Sequence, residues 1–444
     1  MTRMFLVVTA AAALTLSAGS ARAGGFGIPE YGMRRTAMAA VIGRPDEPTC
    51  LFHNPAGLVL QPSWHIYASG TGAFLTTDFR IQAWNQSDED RFLGPPEADG
   101  YYPTVKPESA FGAAPFFAVT GELIKDKLFA GFTVYVSNAA GATFGRDSYA
   151  RYHLVDGYIV APQAMLGAAY RITPTLSVGA TAGVVYMRIK GSRELYPIIT
   201  QPDGTTQDIS VVTGSHPLLE FQGSATAPAW SVGVFGQPHP KVTYGLALLS
   251  RVNPNMKGPV KGTFSDDAPS PGDTLEGNMS TTFLIPWTLH AGVNVDVHPN
   301  IEIGSELRYW LYRQYDEQVI KVTPRLLTIS ELRTQKNFHD SWQVSGGVRV
   351  HDLAAAPKLE LMAGGHYDKT PAPPETLTLD QPTFDHIGVH SGLRYTIGRY
   401  RLGASYTHYW YDLPKVTSSI TFPPANFIGH ASNNIFALSV EATL

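Results

Sequence analysis

The sequence predicts an all-β protein: a fourteen-stranded antiparallel transmembrane β-barrel with an N-terminal hatch, or plug, inside its lumen. Three observations carry this expectation. From Trp64 onward, segments alternate apolar and polar residues with a period of two, the mark of strands that are apolar on one side only. The connections between them alternate strictly between long and short, as the outer loops and periplasmic turns of outer-membrane barrels do. Ahead of the strands, Gly24–Gln61 is rich in Gly, Ala and Pro, lacks sustained alternation, and closes on Asn54-Pro55-Ala56-Gly57-Leu58. A wide barrel is hollow unless something fills it, so this stretch is expected inside the wall.

The chain reads as residues 1–23, a signal peptide; 24–61, the hatch; and 62–444, the barrel. Arg3 gives the leader its positive start, Met4 to Leu16 is a short apolar run, and Ala21-Arg22-Ala23 is a cleavage triplet. That run is too short for a membrane-spanning helix, and no later segment is long and apolar enough for one. Charged residues make up 16% and aromatics 11%, a mix suited to an apolar face, aromatic girdles and a polar interior. A net charge of −4 over 444 residues leaves no electrostatic footprint for nucleic acid. Cys50 is the only cysteine, so no disulfide framework exists, and it reads as a small packing residue of the hatch.

The candidate strands are Trp64–Leu75, Phe111–Thr120, Leu128–Asn138, Ala161–Tyr170, Thr175–Lys190, Ala227–Gly236, Lys241–Arg251, Thr281–Val297, Asn300–Tyr315, Asp340–Val350, Pro357–Asp368, Phe384–Ile397, Tyr400–Tyr411 and Asn433–Leu444. In the ninth, Ile301, Ile303, Leu307, Tyr309 and Leu311 share one face, with Glu302, Glu306 and Arg308 opposite, where they are expected to brace the hatch from the lumen. Thr76–Ala110, Val252–Ser280 and Asp316–His339 are among the long loops. Turns such as His298-Pro299 and Gly398-Arg399 are short. By parity, the hatch enters from the periplasmic side.

Catalytic and metal chemistry find no support. The fourteen histidines lack a ligand spacing such as H-E-x-x-H, and no G-x-S-x-G elbow, P-loop or paired-cysteine cluster occurs. His290, His386, His390 and His408 read as lumen or interface polar groups. No enzyme, cofactor, metal or catalytic residue is expected. The alternatives are an adhesin or structural barrel, with specificity in the outer loops, or a barrel lipid hydrolase.

Four stretches give the chain a resemblance to a known family. These are Gly24-Gly25-Phe26; Asn54-Pro55-Ala56; Asp126-Lys127 followed by Ala169-Tyr170-Arg171-Ile172 and Val185-Tyr186-Met187-Arg188; and Tyr367-Asp368-Lys369-Thr370-Pro371-Ala372-Pro373 with Asp385 and Gly392-Leu393-Arg394-Tyr395. In this order they resemble the FadL/TodX family of outer-membrane long-chain fatty acid and hydrocarbon transporters. The resemblance implies a monomer that passively takes up a hydrophobic small molecule and releases it sideways into outer-membrane lipid through a kinked third strand. Under it, Phe26 is either a plug residue displaced by ligand or an anchor of the hatch. Asn54 orders the hatch end by side-chain-to-backbone hydrogen bonds, with Pro55 and Ala56 completing the signature. The lateral gate maps to Asn138 and Gly141, unless a loop starts there instead. Arg188 is similar to the family's carboxylate-binding arginine, yet its parity matches lipid-facing residues, so either a bulge turns it inward or it sits at the rim. His339 stands where a second cation is expected, which leaves room for neutral or aromatic hydrocarbons.

Overall fold

The computed structural model describes residues 28, 30–84, 92–108, 111–200, 205–327, 329–380 and 382–444. The expected leader and Phe26 lie outside these residues. Eighteen hydrogen-bonded segments form one antiparallel sheet; four strands are each split in two, giving a closed wall of fourteen. In chain order they are β1 His65–Ile81, β2 Phe111–Ile124, β3 Leu128–Thr143, β4 Asp156–Thr173, β5 Leu176–Glu194 and β6 Leu218–His239. The four split strands follow: β7 (Val242–Leu249 and Asn255–Thr263), β8 (Thr274–Thr282 and Thr288–His298), β9 (Ile301–Trp310 and Glu317–Leu326) and β10 (Ile329–Gln335 and Ser341–Val350). The wall ends with β11 Leu359–Asp368, β12 Asp385–Ile397, β13 Tyr400–Asp412 and β14 Phe427–Thr443. β1 pairs along its whole length with β14, from His65↔Thr443 to Ile81↔Phe427, so the first and last strands close the barrel.

Alternation sets the faces. On β12, Ile387, Val389 and Leu393 are exposed on the outer surface, while His386, His390 and Arg394 are buried inside. Several strands run further than the sequence suggests, and two expected long loops, Val252–Ser280 and Asp316–His339, fold largely as strand. These upper segments carry polar residues on their outer side, such as Lys257, Lys261 and Lys321, and apolar ones inside, such as Met256, Val260 and Val322, so the lipid-facing apolar face ends although the backbone ladder continues.

Residues 30–61 fill the lumen on the short-turn side and are almost wholly buried. Helix α1 (Met33–Met38) starts after Gly32, at φ 83°, and ends on Ala39 in the left-handed region. Helix α2 (Cys50–His53) leads through Asn54 into a 3-10 turn, Pro55–Leu60. The hatch backbone lies against inward-facing glycines of the wall. A Cβ added at Gly245 would come within 1.9 Å of the Ile42 carbonyl oxygen, and one at Gly347 within 2.0 Å of that of Met38.

Candidate functional site

Two unlike contacts hold the hatch. Toward β8–β12 it is held by charge. The Glu302 carboxylate accepts from Arg34 at 2.6 Å, Arg44 at 3.0 Å, Arg349 at 2.9 Å and the Asn294 amide at 2.6 Å. Glu306 accepts from Arg35 at 2.8 Å, Arg308 at 3.1 Å and the backbone N–H groups of Val41 and Ile42. Arg394 reaches Glu47 at 2.7 Å and Glu360 at 2.6 Å. Buried charges persist only when paired and hydrogen-bonded, and here each carboxylate has several donors. Burial alone would raise the Asp46 carboxyl, but Arg34 and Arg394 outweigh it and hold it well below the usual range. Glu47 goes the other way, because its burial exceeds the pull of Arg394. Toward β2–β6 the contact is apolar: Tyr31, Leu51, Ala56 and Leu58 pack with Phe116, Phe129 and Tyr135.

Histidines tie the hatch to the wall as neutral rings. His53 Nε2 donates to the Tyr31 carbonyl, so its Nδ1 accepts from Arg308 at 3.2 Å. A second chain starts at the Thr36 carbonyl, which can only accept. His390 Nδ1 donates to it, His366 Nδ1 donates to His390 Nε2 at 2.7 Å, and His386 Nε2 donates to His366 Nε2 at 2.9 Å. Ligand atoms of Asp296, Glu302 and His351 lie within 4.8 Å of one another. Arg44 and its neighbours already occupy those carboxylates, so the group suits a guanidinium better than a metal.

At its N-terminal end the hatch meets a break in the wall. Pro162 of β4 lacks an N–H, and opposite it the register of β3 shifts between Val136 and Asn138, leaving Ser137 as a bulge. β2 pairs with β3 only from Phe116↔Tyr135 to Ile124↔Leu128; beyond Tyr135, among the described residues, β3 is paired with β4 alone. The wall therefore parts between β2 and upper β3. The Ile28 N–H donates to the Ser137 carbonyl at 2.8 Å, and the Tyr31 hydroxyl donates to the Val136 carbonyl. Beside this break is a cavity of about 80 Å³, lined by Ile28, Phe52, Tyr135, Trp230 and Trp310, with Asn138, Gln163, His290 and Arg308 among its polar groups.

Above lies an aromatic cap built from the loops and the upper end of β1, including Phe79, Phe92, Tyr102, Tyr152, Tyr315 and Phe384. Arg193, Lys336 and His153 gather beneath it around Asp380, which acts on all three without a direct ion pair among the described residues. Lys336 is buried, and among the described residues its ammonium donates only to Thr378 Oγ1, at 3.3 Å. A small cavity here is walled by Leu154, Ile189, Phe221 and Ile320. Burial pushes His153 down to about 4.

The residues singled out from sequence fall into three groups. Asn54 caps the 3-10 turn: its Oδ1 accepts from the Ala56 N–H at 3.2 Å and its Nδ2 donates to the Val234 carbonyl at 2.9 Å, with Pro55 at the first turn position. Asn138 lines the cavity at the break, and Gly141 lines a second, smaller one on upper β3. Arg188 and His339 are not brought to either cavity. No bulge turns Arg188 inward: it lies exposed on the outer face, 5.9 Å from the Tyr158 ring, and His339 is exposed above the wall. Arg193 and Lys336, within five residues of them in the chain, are the cations that do face inward. Strand parity opposite to that of Arg188 is the signal that turns Arg193 inward, whereas no local pattern reports the depth of Lys336.

Residues 14–443 match the family described as outer membrane protein transport protein (OMPP1/FadL/TodX). Among solved structures, a FadL homologue of Pseudomonas aeruginosa is similar over 94% of this chain and 99% of its own, at 15% identity and a TM-score of 0.76. The toluene transporter TodX of Pseudomonas putida is similar over 94% of this chain and 98% of its own, at 15% identity and a TM-score of 0.66. For the toluene transporter TbuX of Ralstonia pickettii the shares are 93% and 98%, at 15% identity and a TM-score of 0.65. No curated protein matches the sequence. Likeness at such low identity speaks for the fold; the family match spans nearly the whole chain. The protein is a bacterial outer-membrane β-barrel and belongs to the OMPP1/FadL/TodX family of transport proteins.

Proposed function

We propose that this barrel passively imports hydrophobic molecules bearing an anionic head, long-chain fatty acids rather than neutral hydrocarbons, and releases them sideways where β2 and β3 part. One observation carries the reading: the first described residue of the hatch is hydrogen-bonded to the bulge that opens the wall, beside a mostly apolar cavity. A molecule entering that cavity competes with the hatch end for the same space. Displacing Ile28 and Tyr31 frees the Val136 and Ser137 carbonyls and loosens upper β3. The half-buried Arg193 and the buried Lys336 support the anionic head, because inward-facing cations without a direct acid partner among the described residues favour a carboxylate. Lumen, hatch and break all belong to one chain, which supports a monomer, and nothing in these contacts calls for bond-making chemistry. Here Gly24 is the mature N-terminus, and Phe26, outside the described residues, is the plug residue that ligand displaces.

The test is uptake of labelled oleate and of toluene by cells lacking their own transporter. Saturable oleate uptake is expected, altered by deletion of Gly24–Phe26. It should fall about tenfold or more in Arg193→Met/Lys336→Met, on the scale of two charge-assisted hydrogen bonds. Toluene uptake that exceeds oleate uptake and ignores the double substitution would overturn the anionic-head reading. No uptake of either by an assembled barrel would overturn transport of this ligand class.

A further inference from the structure

A row of cations crosses the outer face of the wall on the long-loop side. Backbone register sets Arg188 of β5 opposite Ser224 of β6, Ser224 opposite Lys257 of β7, Lys257 opposite Ser280 of β8, and Ser280 opposite Lys321 of β9. Their sequence neighbours Met187, Met256, Met279 and Val322 are buried on the inner face, so the row faces outward. The three cations are exposed and the two serines half-buried. Neighbouring strands lie about 4.8 Å apart, so the cations follow one another at about 10 Å with a hydroxyl between each pair.

These three lack what other cations on this side of the wall have. Lys190 is held by Asp156 at 2.9 Å, Arg313 by Asp340 at 2.7 Å, Arg333 by Glu331 at 2.6 Å and Lys369 by Asp385 at 2.6 Å. Among the described residues, Arg188, Lys257 and Lys321 have no carboxylate within 4 Å. The acid in register with the row, Glu331 opposite Lys321, is already engaged by Arg333. Cross-strand positions normally set opposite charges together; here serines separate like charges instead. Closer to the short turns, the same strands expose Val184, Leu246 and Leu289, with Tyr186 and Trp230 as aromatic flanks. Lysine and arginine facing lipid are tolerated at head-group depth and not at mid-bilayer, so the row lies where lipid head groups begin.

We propose that Arg188, Lys257 and Lys321, with the hydroxyls of Ser224 and Ser280, form a strip that binds the phosphate groups of a phosphorylated lipid in the outer leaflet. Guanidinium, ammonium and hydroxyl donors match phosphate oxygens, and the apolar belt beneath accommodates the acyl chains. The proposal is independent of what passes through the lumen.

Native mass spectrometry of the full-length protein in neutral detergent tests it, with diphosphoryl lipid A, monophosphoryl lipid A and inorganic phosphate as probes. Arg188→Gln/Lys257→Gln/Lys321→Gln is compared with a control, Lys190→Gln/Arg333→Gln, after heat-modifiable gel migration shows both to be assembled. Retention of diphosphoryl lipid A is expected in the wild type and the control, weaker for the monophosphoryl form, and about a hundredfold weaker in the triple variant. Equal retention by the triple variant, or retention independent of phosphate, overturns the proposal. So does displacement by inorganic phosphate, which would mark a site for soluble anions.

Discussion

At the scale of the residue, the account rests on carboxylates that each satisfy several buried cations. Glu302 alone serves Arg34, Arg44 and Arg349. Removing one partner of such a group costs about 3–5 kcal/mol, because the others are left buried and unpaired. Glu302→Ala should therefore undock the hatch while the wall stays closed. The lone, buried Cys50 reports this directly: maleimide labelling should rise steeply, with gel migration of the folded barrel unchanged. His53 sets the pH dependence. Burial, then the charge of Arg308, hold its docked pKa well below 6.5. An undocked hatch takes up that proton near pH 6.5 and a docked one does not. Docking is therefore strongest above that value and weakens by up to about 1.4 kcal/mol per pH unit as pH falls below it. Asp46 adds loss in the same direction below about pH 4, and Glu47, with its raised pKa, opposes it. Cys50 labelling, normalised to the unfolded chain, should climb between pH 6.5 and 5 in the wild type and climb less steeply in His53→Gln. The lumen side of this network, Glu302, Glu306 and Arg308, was legible from strand parity. Arg34 was not, because its Glu302 partner lies 268 residues away.

At the scale of the element, the wall makes room for the hatch by omitting side chains. Gly245→Ala places a methyl group against the Ile42 carbonyl, a backbone atom that cannot swing aside. Overpacking of this kind costs about 1–3 kcal/mol. It should raise Cys50 labelling about tenfold or more without opening the barrel; unchanged labelling would mean that the hatch shifts freely at this point. Sequence periodicity located every strand where one face meets lipid and the other the lumen. It missed the upper halves of β7 to β10, where the outer face is polar and the apolar residues, such as Met256, Val260, Met279 and Val322, point inward, and the splits that divide these four strands, where Pro254 and Pro286 stand among the intervening residues. The break at Ser137 was legible only as small residues around Asn138 and Gly141. The shift itself depends on Pro162 across the ladder, which no local window contains.

At the scale of the whole molecule, the hatch is fixed by charge on one side of the barrel, and on the other its end reaches the bulge that parts the wall. In the transport reading proposed above, this asymmetry would keep the bulk of the hatch docked while its N-terminal end yields to a ligand. The claim that transport passes through this break is open to one direct measurement: the initial rate of oleate uptake by a chain lacking Ser137. Deleting that residue restores a regular ladder between β3 and β4 and lets upper β3 close against β2. With assembly and Cys50 protection intact, the account predicts uptake reduced by about tenfold or more, as expected when a bulge that opens the wall is removed. Wild-type uptake through the straightened wall would contradict it and send the path elsewhere.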